Sequence, residues 1–161
     1  MELLETCQSE LEGHERTMLS VLSGGSVGEA VALAEAGGLA LYREMVKLLG
    51  NIGSLNIEAV HSLADRLERG NNGQAFETFS RMLSSWLSKL IRYTACGMQI
   101  EEIVPGEAEA AAQFGGALRL AQNLLVWEKV TRLLEQADSF NFDRKQVVVN
   151  AFLTLQASVK L

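Results

Sequence analysis

The stretch QAFETFSRMLSSWLSKLIRYTA, residues Gln74–Ala95, decides how the rest of the chain is read. Its apolar residues Phe76, Phe79, Leu83, Trp86, Leu90 and Tyr93 follow one another in steps of 3, 4, 3, 4 and 3. That is the spacing of a single helical stripe, because 3.6 residues make a turn. Met82, Leu87 and Ile91 widen the stripe, and Glu77, Arg81, Ser84, Ser88, Lys89 and Arg92 form a polar back. No Pro or Gly interrupts the run before Gly97. A stripe this wide needs cover on more than one side, so it predicts a central helix with other helices packed around it.

The flanking sequence has the same character. Ser26 followed by Glu29 is a capping-box pattern that starts a helix at Val27, and Gly37-Gly38 ends it. Tyr42, Met45, Val46 and Leu49 mark a further helix, which ends near Gly50 and Gly53. Asn56 is placed to cap another, with Ile57, Val60, Ala64 and Leu67 on its inner face. Gly70–Gly73 reads as a turn into the central helix. Pro105 suits the first turn of a short Ala-rich helix over 108–114, whose neighbours Glu107 and Glu109 suit its dipole. Gly115-Gly116 precedes a long helix with Leu120, Trp127, Val130, Leu134 and Ala137 on one side. Asn141 is expected to cap the last helix, with Val148, Phe152, Leu155 and Val159 facing in. Ahead of all these, Leu3, Leu4, Cys7, Leu11, Met18, Leu19 and Leu22 give one bent helix or two short ones around Gly13. No useful strand alternation occurs, so the expected fold is all-α.

Bulk properties narrow the function. The chain has 161 residues, 48% apolar and 21% charged, which is enough for one ordinary domain with a real core. A formal charge of −6 argues against direct nucleic-acid binding, which needs clustered cations. Cys7 and Cys96 make no disulfide framework and fit a reducing cytoplasm. No apolar run approaches the roughly 20 residues of a membrane span. The acidic N-terminus lacks the basic start of a signal peptide.

Catalytic patterns are few. There is no G-x-x-x-x-G-K-[S/T] loop for a nucleotide and no C-x-x-C pairing for zinc. Gly24-Gly25-Ser26-Val27-Gly28 spells a nucleophile elbow, but that elbow needs a preceding strand, and Ser26 reads as a helix cap. Glu58-Ala59-Val60-His61 is a Glu-x-x-His unit of the kind used twice in di-iron carboxylate bundles. The second copy is missing, because the other histidine lies in Glu12-Gly13-His14. A carboxylate-bridged metal enzyme using Glu58 and His61 therefore stands as an alternative reading, as does a free-standing helical adaptor. Trp86 and Trp127 read first as core, with Trp127 also a candidate contact for a partner. Arg144-Lys145, in the first turn of the last helix, runs against the dipole preference and reads as a solvated face or a contact for an acidic partner.

A resemblance adds to this reading. Leu22-Ser23-Gly24-Gly25-Ser26-Val27-Gly28-Glu29-Ala30-Val31-Ala32-Leu33 resembles the "sensor 2" segment of clamp-loader AAA+ proteins, Gly-Ser-x-Arg-x-Ala-Leu. Gly38–Glu44, Trp127–Val130 with Arg132-Leu133-Leu134, and Asn141–Val148 are similar to the C-terminal region of bacterial DNA polymerase III delta-prime subunits. The resemblance implies a fragment in which residues 1–36 end a helical lid and 39–161 form a collar domain. It implies a stator-like, non-catalytic role with no cofactor and no metal, inside a machine that serves a DNA polymerase by loading its sliding clamp. Its partners would be the gamma/tau and delta collars, through a surface for which Trp127, Arg132, Arg144 and Lys145 are candidates. Gly28 stands where an active relative carries the Arg that reaches the γ-phosphate, and Glu29 beside it repels phosphate.

Overall fold

The computed structural model describes residues 13–69, 73–115, 119–139 and 143–160, the side chains of His14 and Asp138 excepted. The expectations for Leu3, Leu4, Cys7, Leu11, Gly70–Asn72, Gly116 and Asn141 lie outside the described residues. Within them the chain is all-α, with eight α-helices and a short 3-10 turn, Ile52–Ser54. In order these are α1 (Gly13–Leu22), α2 (Val27–Glu35), α3 (Gly38–Gly50), α4 (Ile57–Arg69), α5 (Gln74–Ala95), α6 (Glu107–Ala112), α7 (Leu120–Ser139) and α8 (Arg144–Val159).

α5 has the bounds its periodicity predicts, and Phe76, Phe79, Leu83, Trp86 and Leu90 are buried along it. It packs against α3, α4 and α7. α8 is its equal in the core, packing on α4, α7 and the 3-10 turn. Val147, Val148, Val149, Ala151, Phe152 and Leu155 are all buried, and the Phe152 ring meets Phe79 of α5 with centroids 6.0 Å apart. A helix apolar on most sides is one buried between neighbours, and the run Val147-Val148-Val149 carries that signal.

Local chemistry sets the helix starts. Ser26 Oγ accepts from the Glu29 amide at the head of α2, and Asn56 Oδ1 from the Ala59 amide at the head of α4. Asp143, in place of the expected Asn141, caps α8, its Oδ1 accepting from the Lys145 and Gln146 amides. Three further details differ from expectation. Ile57 is 39% exposed, and Leu63 joins Val60, Ala64 and Leu67 on the inner face of α4. The Ala-rich helix begins at Glu107 with Gly106 as its cap, so Pro105 precedes the helix. Lys89, placed on the polar back of α5, is largely covered.

The α2–α3 joint is close-packed. Gly37 is left-handed at φ 68°, and a Cβ on Gly38 would meet the Leu33 carbonyl oxygen at 2.8 Å. α1 and α2 lie against α3 as well as each other, and Met18, Leu19, Ala30 and Leu33 belong to the same buried cluster as the α3–α8 residues.

Candidate functional sites

The best-built polar centre is one that motif reading passes over. Glu107, the first residue of α6, is fully buried. Its Oε1 accepts from Tyr42 Oη of α3 and from Lys89 Nζ of α5, the latter at 3.1 Å. Its Oε2 accepts from the Ile103 and Val104 amides, which hold the incoming loop against the helix start. Four donors from three directions compensate the carboxylate, as a buried charge requires. Burial first, and then the Glu107 hydrogen bond and charge, push the Tyr42 phenol well above its ordinary range. The arrangement fixes α3, α5, α6 and the 103–104 loop to one another. It is a structural clasp rather than a catalytic set, because every lone pair used faces a donor from the fold itself. The signal was faint: Lys89 is three residues past Trp86 and so borders the apolar stripe, and Glu107 follows a Pro-Gly pair.

The candidate interface residues separate into two groups. Arg132 lies exposed on the outer side of α7. One and two turns before it on that side stand Glu128 and Leu125, and Leu125 is 68% exposed with Leu124 beside it also open. Trp127 is half-buried on the flank of the same helix. Its Nε1 and Thr131 Oγ1, one turn on, are both buried with no hydrogen-bond partner. Arg144 and Lys145 sit at the other group's location, the head of α8, and make internal contacts. Lys145 Nζ is 2.6 Å from Asp65 of α4, and the Arg144 guanidinium lies over the Phe76 ring at 5.8 Å. The same guanidinium occupies the space that a Cβ on Gly73 would need, at 2.5 Å.

The remaining candidates are dispersed. Gly28 is exposed at the second position of α2, with nothing within 4 Å of a Cβ built on it. Ser26 is a helix cap, and no strand precedes it among the described residues. Glu58 and His61 are both exposed on α4, and no group of three or more potential metal-ligating side chains gathers among the described residues. Nor is any single helix there long and apolar enough to cross a membrane.

Comparison with protein-family models, curated proteins and solved structures gives no match to this chain.

Proposed function

We propose that this chain is a non-catalytic assembly module, the lid end and collar of a delta-prime-like clamp-loader subunit, which joins gamma/tau and delta collars in the machine that loads the sliding clamp onto primed DNA. The observation that carries the reading is the outer side of α7. It presents Leu125 as an exposed apolar anchor with Glu128 and Arg132 beside it, and half-buried Trp127 on its flank. An apolar centre with a charged rim is how a protein contact of standard size is built. Trp and Arg are enriched among residues that carry binding energy. The order of the sensor 2-like and collar-like segments supports the choice of partner. Gly28, which offers no cation to a γ-phosphate, supports a subunit that does not hydrolyse nucleotide.

Arg144 and Lys145 enter this surface less readily, because both already contact the fold. The metal-enzyme reading gains nothing from two exposed side chains on one helix. Pull-down of folded gamma/tau and delta collars with this chain tests the proposal. Capture of either supports it, and failure with all proteins folded removes it.

A further inference from the structure

α1 and α2 pack on each other and on α3, but neither packs closely on α5. Between them and α5 runs a row of three cavities, of about 160, 240 and 480 Å³. Neighbouring cavities share walls, Leu33 and Arg81 at one junction and Val21 and Lys89 at the other, so together they form one slot along α5. Protein interiors hold few voids larger than a water, so a seam this open is a contact of low cohesion. Across it Arg81 of α5 pairs with Glu29 of α2 at 3.3 Å. Both side chains are more than half exposed, at 60% and 53%, so the pair is weak and salt-sensitive.

α1 and α2 are built to move as one piece. The turn between them is closed by the Ser23 N–H on the Leu19 carbonyl and the Gly25 N–H on that of Ser20, to which Ser23 Oγ also donates. Only Ala36 and Gly37 join α2 to α3. Gly37 is left-handed, and a Cβ built on it meets nothing within 4 Å, so the chain can pivot there while Leu33 stays over Gly38. The buried apolar residues of the pair are Met18, Leu19, Ala30 and Leu33, while α5 buries such residues along its length from Phe76 to Leu90. A unit with few buried apolar contacts is the one that opens first.

We propose that α1 and α2 form a latched flap, which opens from α5 as a unit about Gly37 and whose latch is the Arg81–Glu29 pair. When shut, the flap covers Met82 and Trp86 on the α5 wall of the slot, which are 7% and 1% exposed. When open, it gives that apolar wall to solvent. The inference is independent of the assembly reading, since a chain that captures no collar partner can still open here.

The test is native-state hydrogen exchange of the whole chain, read by mass spectrometry at low and at high salt. Amides of α1 and α2 are expected to exchange about tenfold or more faster than the slowest of α5 and α8 in the same sample. Salt at about 1 M screens exposed charges, and should speed α1 and α2 about two- to fivefold relative to α5. Arg81→Gln at low salt should give a similar gain and respond less to added salt. Trp127→Phe leaves Trp86 as the single indole. In that variant, acrylamide quenching of Trp86 fluorescence should rise with salt in step with the exchange of α1 and α2. The proposal is overturned if α1 and α2 exchange together with α5 and α8, or if they exchange faster but neither salt nor Arg81→Gln changes their rate. Should Trp127→Phe fail to fold, exchange in the unaltered chain and in Arg81→Gln decides the matter.

Discussion

Lys89 Nζ stands 3.1 Å from Glu107 Oε1, and this contact ties the longest described helix to the first turn of the shortest. The Lys89 side chain is 13% exposed and that of Glu107 is fully covered, so water screens the pair weakly. Removing one member leaves the other's charge buried. Glu107→Ala also frees two backbone amides. Each of Glu107→Ala and Lys89→Met is expected to lower unfolding free energy by about 3–5 kcal/mol, measured by urea denaturation. A loss under about 1 kcal/mol in both would show that the clasp is not holding the fold.

Tyr42 gives the alkaline counterpart. Its folded phenol is held above the ordinary value of 10.0, mainly by burial and then by Glu107. The unfolded chain therefore releases a proton that the folded chain keeps. This contribution is complete below the ordinary value and shrinks as pH rises above it. Stability of the unaltered chain should fall in that alkaline window, and Tyr42→Phe should flatten the fall. Thermal melts across the window measure both. An equal slope in the two proteins would contradict the assignment.

Two glycines should respond in opposite directions. A Cβ at Gly38 meets a backbone carbonyl at 2.8 Å, which cannot rotate away, so Gly38→Ala is expected to destabilise by about 1–3 kcal/mol. A Cβ at Gly28 meets nothing within 4 Å inside a helix, so Gly28→Ala is expected to stabilise by up to about 1 kcal/mol. Denaturant midpoints of the two variants compare them directly; a Gly38→Ala variant as stable as the parent would refute the packing of the α2–α3 joint.

The Asp65–Lys145 bridge should be felt in acid. The Lys145 hydrogen bond, followed by its charge, holds the Asp65 carboxyl below its ordinary value. The stability it lends is present above the ordinary carboxylate value and is lost as pH falls through the folded one. Both groups are exposed, so the effect is small and salt weakens it. Asp65→Asn should remove that part of the acid dependence at low salt and change little at high salt. A variant with unchanged acid dependence at low salt would count against the bridge.

What was legible in the sequence was what local pattern controls. The α5 stripe, the Ser26 and Asn56 caps and the Tyr42-Met45-Val46-Leu49 face stand as their spacing implies. Tertiary context governed the rest. Ile57 fits the inner spacing of α4 but sits at its first turn, where cover runs out. Lys89 and Glu107 look like surface charges until the fold brings them together from 18 residues apart. The candidate surface divided for the same reason. Lys145 is exposed by helical phase alone, yet α4 places Asp65 against it. The centrality of α8 is hard to see in its sequence because its apolar residues surround the helix instead of forming one stripe.

The assembly reading stands or falls on the outer side of α7. Calorimetric titration of a folded gamma/tau collar into this chain, repeated with Leu125→Asp, measures it directly. The account predicts saturable binding that Leu125→Asp weakens by tenfold or more, on the order of 1.4 kcal/mol, while the variant keeps the melting behaviour of the parent. Absence of binding, or binding that Leu125→Asp leaves unchanged, would contradict it.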